Sequence, residues 1–82
     1  MEKCVTVSLK NNQNLKEFLS INSKSHCDID VASGHSFIDG KSLLGLLSLD
    51  LMSPLKVFLI GDTEKVSAVE KQYRSSDIIA EV

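Results

Sequence analysis

The 82-residue sequence lacks the features that mark several large functional classes. It contains no tryptophan, a single proline and no run of basic residues, and its net charge is −2 with a pI near 5.5. This charge balance argues against nucleic acid as the main partner. No window approaches the roughly 18 consecutive apolar residues of a membrane helix, so we expect no membrane partner either.

The two cysteines, Cys4 and Cys27, form neither a CxxC nor a zinc-ribbon spacing. The N-terminus, MEKCVTVSLK, alternates between polar and apolar residues and lacks the continuous apolar segment of a secretory signal. We therefore expect reduced cysteines, a cytoplasmic location, and no metal or other cofactor.

What is present predicts a single domain over residues 1–82, since 43% of the residues are hydrophobic and glycine and proline are scarce. Residues 3–9 alternate between polar and apolar side chains, which indicates a half-buried strand. Asn14 followed by Glu17 has the form of a capping box and predicts that a first helix begins there. The buried stripe of this helix is expected to contain Leu15, Phe18, Leu19 and Asn22.

A hairpin is predicted in the run CDIDVASGHSFI, where Ser-Gly at positions 33–34 separates two β-rich segments. A two-residue turn at these positions pairs Ile29 with Ile38 on the buried face and Asp30 with Phe37 on the other face.

The Gly-Lys-Ser triplet at positions 40–42 is compatible with a phosphate-binding loop or with a capped helix. The loop motif requires a second glycine at position 35, and that residue is His35. We therefore interpret Ser42 as the N-cap of a leucine-rich helix. Helical periodicity groups Leu43, Leu44, Leu46, Leu47 and Leu51 into one apolar sector, with Gly45, Ser48, Leu49 and Met52 opposite.

The last strand is predicted from Pro54 to Ile60, with Leu55, Val57 and Leu59 facing the core. Phe58 and Ile60 then lie on the open face of the sheet. Large apolar residues are unusual on a solvated sheet face, so these two form a candidate homodimer patch. A last helix follows, with Asp62 as its cap and a buried face of Val66, Val69 and Tyr73.

The element order βαββαβα predicts an α+β fold. We expect an open-faced two-layer sandwich, in which a four-stranded antiparallel sheet carries three helices on one face. Residues 75–82 form an extra C-terminal tail. Its apolar residues, Ile78, Ile79 and Val82, either extend the last helix or dock elsewhere.

This order and the run KSLLGLLSL at positions 41–49 resemble the HPr family, the histidine-containing phosphocarriers of the bacterial sugar phosphotransferase system. The corresponding family run is K-S-[IL]-[LM]-G-[VL]-[ML]-S-L, and the resemblance covers residues 3–74. It implies an HPr-like fold and protein partners, namely a kinase or a regulator of that system.

The sequence departs from the family at the residue that carries the phosphoryl group. In the family this is a histidine in the motif G-[IL]-H-A-R-P, at the N-cap of the first helix. Counting without gaps from Thr6 places Asn14 on the histidine and Lys16 on the arginine. An amide nitrogen is delocalised into its carbonyl and is not a nucleophile, unlike a neutral imidazole. The resemblance therefore implies a member that is not an enzyme and carries no phosphate on histidine.

The two histidines, His26 and His35, flank the predicted hairpin, and we interpret both as surface residues. His26 and Asp28 share one face of the predicted strand while Cys27 points to the other face. These three side chains therefore do not converge on a metal ion.

Ser42 has a second interpretation, because the matching serine of Gram-positive family members is a regulatory phosphorylation site. The alternative is a hydroxyl that only caps the helix. The family's docking surface corresponds here to Leu43, Leu44 and Leu47, and the alternative is that these leucines belong to the core. Together these features suggest a regulatory or protein-binding module. The alternative function is a small structural or dimerisation domain without a link to sugar transport.

Overall fold

Seven secondary-structure elements follow one another in the predicted order in the computed structural model, which describes residues 1–80. They are β1 (Glu2–Val7), α1 (Asn12–Lys24), β2 (Asp28–Ser33), β3 (Ser36–Asp39), α2 (Leu43–Leu47), β4 (Leu55–Ile60) and α3 (Thr63–Ser75). The strands lie in the order β1-β4-β2-β3, and each neighbouring pair is antiparallel. The three helices cover one face of the sheet, so the predicted α+β sandwich is confirmed. None of the described helices is long and apolar enough to cross a membrane.

Alternation along the strands decides which side chains enter the core. In β4, Leu55, Val57 and Leu59 are buried as predicted, because alternate residues of a strand face the helices. The other strands and the helices complete this core with Val5, Val7, Ile29, Val31, Phe18, Leu46, Val66 and Val69. None of the described helices packs against the opposite face of the sheet.

The β2–β3 hairpin turns one residue later than predicted. Gly34 and His35 form the turn, so Val31 faces Ile38. Gly34 has a φ of 60°, and glycine at the first central position is typical of the type II′ turn, whose twist matches that of the strands. The predicted pairing of Ile29 with Ile38 is therefore wrong. The partner has shifted by two residues, which leaves each side chain on its predicted face.

A buried asparagine joins the two long helices to the loop before α2. Asn22 of α1 is fully buried; its Nδ2 donates to the Gly40 carbonyl at 2.6 Å, and its Oδ1 accepts the hydroxyl of Tyr73 from α3. Burial raises the pKa of the Tyr73 phenol, so the hydroxyl stays protonated and remains a donor. The Tyr73 ring also packs on Phe18, with 5.4 Å between the ring centroids. Within residues 1–80, no buried side-chain nitrogen or oxygen lacks a hydrogen-bond partner.

The residues after α3 run back along the outer edge of β1. Ile78 is fully buried, and two backbone hydrogen bonds of 2.8 and 2.9 Å join this segment to β1 and to the residue that follows it. Asp77 turns the chain with a φ of 59°, a conformation that aspartate tolerates better than most residues. Of the two alternatives for the tail, residues 76–80 dock against the sheet. Val82 lies outside the described residues.

One carboxylate ties α3 to the edge strand β1. A Glu70 oxygen lies 2.8 Å from Lys3 Nζ, and the other lies 3.2 Å from a guanidinium nitrogen of Arg74. The hydrogen bond from Lys3 has the largest effect and holds the pKa of Glu70 below its ordinary value of 4.5, against the opposing effect of burial. The ionised carboxylate therefore stabilises the folded chain.

Replacing Asn22 by alanine should lower the free energy of unfolding by about 2–4 kcal/mol, because the Gly40 carbonyl and the Tyr73 hydroxyl then lose their partners inside the core. Tyr73→Phe leaves only Asn22 Oδ1 unpaired and should cost about 1–3 kcal/mol. Urea denaturation measures both. Gln13→Ala, an exposed change on the same helix, is the control. Losses no larger than those of the control would show that the network does not stabilise the fold.

Glu70→Gln should lower the free energy of unfolding by about 0.5–1 kcal/mol at neutral pH. The folded-state pKa of Glu70 lies below that of the unfolded chain. The contribution of Glu70 to the free energy of unfolding is therefore complete above the unfolded-state pKa. The contribution is lost as the pH falls through the lower folded-state pKa. Unfolding curves of both proteins from neutral to acidic pH test this, with the exposed Glu2→Gln as a control. A difference that persists undiminished in acid would refute the assignment.

Candidate functional site

Helix α1, at whose N-terminus the sequence predicts the phosphocarrier position, begins earlier than predicted. Asn11 is the N-cap: its Oδ1 accepts the Asn14 amide N–H at 2.8 Å, and the first helical residue is Asn12. The predicted capping box from Asn14 to Glu17 is therefore wrong. The earlier start adds backbone hydrogen bonds ahead of the buried Leu15, which a start at Asn14 would forgo.

Asn14 and Lys16, which the gapless count placed on the family's histidine and arginine, both lie in the first turns of α1, so Asn14 is not the N-cap residue that this count predicted. Asn14 is half-buried, and its Nδ2 donates to the Ser8 carbonyl at 2.9 Å. The Asn14 carboxamide thereby ties the start of the helix to the chain that leaves β1. Lys16 is exposed, and the neighbouring Glu17 accepts a 3.4 Å hydrogen bond from Ser76. An amide nitrogen used as a donor has no lone pair to offer a phosphoryl group.

The two histidines lie elsewhere in the fold. His26 follows the C-terminal end of α1, and His35 lies in the β2–β3 turn; both are exposed. Neither is part of α1 or of its N-cap. In the part of the chain that the structure describes, no group of three or more His, Cys, Asp or Glu side chains is placed to hold a metal ion.

Ser42 caps α2, as predicted. Its Oγ accepts the Gly45 amide N–H at 3.2 Å, and its own amide donates to the Asp39 carbonyl at 3.0 Å. The Ser42 side chain is half-buried at the surface. The helix has only five residues and ends at Leu47, so the predicted periodicity through Leu51 does not apply. The Gly45 amide is the backbone donor that the structure places at Ser42 Oγ.

Most leucines of α2 face solvent. Their side chains are strongly exposed: Leu43 by 49%, Leu44 by 82% and Leu47 by 54%. The single apolar sector is therefore wrong, and so is the alternative that these three belong to the core. A helix of fewer than two turns offers one narrow face, which the buried Leu46 and the backbone of Gly45 occupy. Gly45 lies so close to Ile38 that a Cβ would be 2.6 Å from Ile38 Cγ2.

The glycine of the Gly-Lys-Ser triplet is a packing residue. The Gly40 amide donates to the Ile29 carbonyl at 2.8 Å, and its own carbonyl accepts from Asn22. A Cβ at this position would lie 2.5 Å from Ile29 Cγ2. Both backbone groups of Gly40 are committed inside the fold, so they do not form a phosphate-binding loop.

A stripe of three apolar side chains crosses the open face of the sheet. Phe58 and Ile60 are half-buried there, in the predicted register, and Phe37 of β3 is 61% exposed. The rings of Phe37 and Phe58 meet edge to face across β2, with 5.6 Å between their centroids. The residue opposite Phe37 is Ala32, whose small side chain leaves room for this contact. We refer to Phe37, Phe58 and Ile60 as the open-face stripe.

The sequence analysis missed Asn11 as the helix cap. The signal was present, because positions 11, 12 and 14 are all asparagine and each is a good N-cap residue. Local propensity does not choose among neighbouring asparagines. Which asparagine caps α1 depends on where β1 ends and on where Leu15 packs into the core.

Comparison with known proteins gives agreement in structure only. No family model and no curated protein matches the sequence. The phosphocarrier protein HPr from Bacillus anthracis str. Ames is 25% identical, with a TM-score of 0.63 over 88% of this chain and 94% of that chain. HPr-C-His from Thermoanaerobacter tengcongensis is also 25% identical, with a TM-score of 0.63 over 90% of this chain and 93% of that chain. The agreement spans nearly the whole of each chain, and it accords with the resemblance at positions 41–49. The chain is therefore an HPr-like protein.

Proposed function

We propose that this HPr-like protein does not carry phosphate on histidine and acts as a regulatory or protein-binding module of the phosphotransferase system lineage. The observation that carries the proposal is the start of α1, which is built from Asn11 and Asn14 and contains no histidine. Both carboxamides are engaged in hydrogen bonds that hold the helix in place. We further propose that the protein works in the cytoplasm and catalyses no reaction.

The chemistry of phosphoryl carriage supports this reading. A carrier needs a nucleophile with a free lone pair beside donors that stabilise the phosphoryl oxygens. The α1 start offers amide donors, and Lys16 adds a positive charge, but Lys16 lacks the fork with which an arginine binds phosphate. Neither asparagine supplies a nucleophile, so this end of the helix retains an anion-attracting environment without the reacting atom.

Incubation with phosphoenolpyruvate and the first enzyme of the phosphotransferase system should leave the protein unmodified, because α1 presents only carboxamides. Intact-mass spectrometry before and after mild acid treatment measures any phosphoryl group on nitrogen. A functional HPr in the same tube is the positive control. Acid-labile phosphate on this chain would overturn the proposal, and His26→Gln and His35→Gln would then identify which imidazole carries it.

We propose Ser42 as a regulatory phosphorylation site. Its hydroxyl lies at the surface as the N-cap of α2, beside exposed leucines that a kinase or regulator can contact. A phosphate on Ser42 would replace the single acceptor of the cap, the hydroxyl oxygen, by several phosphate oxygens. These oxygens would lie near backbone amide donors at the start of α2. Because α2 has only five residues, the phosphate would be stabilised by these local donors more than by a helix dipole. The carboxylate of Asp39, which accepts the Lys41 amide at 2.9 Å, would repel this phosphate.

A serine kinase that phosphorylates HPr should label the wild-type protein, and Ser42→Asn should reduce labelling to background. Asparagine is chosen because it removes the hydroxyl but keeps a side-chain acceptor for the cap, whereas Ser42→Ala would also cost about 1 kcal/mol of stability. Ser48→Ala, at the other end of α2, is the matched control and should be labelled like the wild type. Continued labelling of Ser42→Asn, or no labelling of the wild type while HPr is labelled, would contradict the assignment.

The surface proposed to meet a kinase or regulator consists of Leu43, Leu44 and Leu47. These side chains are exposed although they are large and apolar, and they belong to the helix that Ser42 caps. A cluster of this kind on a small protein is typical of an interaction site. A charge added at Ser42 would change binding there directly, because it would lie beside the apolar contact.

The alternative function is a small structural or dimerisation domain that keeps the fold without a link to sugar transport. The open-face stripe favours it, since Phe58 and Ile60 are large apolar side chains on a face without helices. Dimers that dissociate on Phe58→Ser, in a protein inert to the serine kinase, would favour this alternative over the regulatory one.

A further inference from the structure

Carboxylates surround the open-face stripe. In the register of the sheet, Ile60 lies between Glu2 on β1 and Asp28 on β2. Two residues earlier on β4, Phe58 pairs with Asp30 on β2, and Asp30 in turn pairs with Asp39 on β3. Each apolar side chain of β4 on this face therefore has an acidic neighbour on the adjoining strand.

The aspartates are not neutralised within the fold. Asp28, Asp30 and Asp39 line one depression of ≈390 Å³ together with Ile60 and Lys41. Among residues 1–80 none of the three forms a salt bridge, and the Asp39 carboxylate accepts only the backbone N–H of Lys41. Like charges directly opposite each other in a sheet are destabilising, and Asp30 and Asp39 are such a pair.

The charges on this face select the kind of molecule that can cover it. Besides the stripe, the face carries four carboxylates and two lysines: Glu2, Asp28, Asp30 and Asp39, with Lys56 on the inner strand β4 and Lys41 at the depression. A second copy of the chain, which the alternative function requires, would cover the apolar stripe but would bring carboxylates against carboxylates, and this repulsion favours a basic partner over a like face. A partner with cations on both sides of an apolar side chain would complement the aspartates and the stripe together.

We propose that the open face of the sheet is a docking surface for a basic protein segment, in which lysine or arginine residues flank an apolar anchor. The cations contact Asp28, Asp30 and Asp39, and the anchor covers Phe37, which is 61% exposed. The helices lie on the opposite face, so this site is separate from the leucines of α2. The protein then has two binding surfaces, which differ in chemistry.

The test uses two short synthetic peptides, one of alternating lysine and valine with a central phenylalanine, and its charge-inverted counterpart with glutamate. NMR titration of the isotope-labelled protein measures their affinities and maps the contacted residues. The basic peptide should bind at least about tenfold more tightly than the acidic one, with amide shifts in β2, β3 and β4. Added salt should weaken binding, because exposed charges are screened.

Matched variants separate the contributions. Asp30→Lys combined with Asp39→Lys should weaken basic-peptide binding about tenfold, and Asp30→Asn with Asp39→Asn should weaken it less, without the risk of new repulsion. Phe37→Ala should weaken it about fivefold. Ser67→Ala, an exposed change on α3 and outside both proposed surfaces, should leave binding unchanged.

Three results would overturn the proposal. The first is equal affinity for the two peptides, or no binding of either at millimolar concentration. The second is a set of shifts confined to α2. The third is a concentration-dependent dimer in sedimentation that Phe37→Ala abolishes, which would make a second copy of the chain the occupant of this face.

Discussion

The hydrogen bonds of Asn22 hold the two long helices and the loop before α2 in one arrangement. Asparagine is a poor helix former, so its place inside α1 is stable only because its partners lie on other elements. Its amide reaches the Gly40 carbonyl, two residues before the Ser42 cap, and its oxygen reaches Tyr73 on α3. Loss of this side chain would leave polar groups unpaired in the core, where they cannot be solvated.

The same network determines where α2 stands. Gly40 is pinned between Asn22 and Ile29, and it has no space for a side chain. The chain then leaves the sheet, and Ser42 caps a helix so short that it buries only one of its leucines, Leu46. Exposure of Leu43, Leu44 and Leu47 is thus a consequence of helix length, and it produces the surface on which the regulatory proposal depends.

Under the proposed function, the start of α1 has a structural role, and binding falls to two other surfaces, the exposed leucines of α2 and the open face of the sheet. At α1 the carboxamides of Asn11 and Asn14 are structural, since they cap the helix and tie it to the end of β1. On the open face Phe37 and Phe58 contact each other edge to face, while Asp30 and Asp39 stand opposite each other without a salt bridge among residues 1–80. A small domain with two chemically different surfaces is suited to connecting partners, and neither surface requires a reacting residue.

The sequence by itself determined the order of the elements, the faces of the strands and the family resemblance, because alternation and capping are local patterns that the printed residues carry. The assignment of Ser42 as a helix cap and of the core-facing residues of β4 follows from such patterns, and both agree with the structure. Only the tertiary structure decided which of several asparagines caps α1, where α2 ends, and that residues 76–80 dock on β1. These choices depend on contacts between residues far apart in the chain, such as Asn22 with Tyr73 and Gly45 with Ile38, and local propensity contains no information about them.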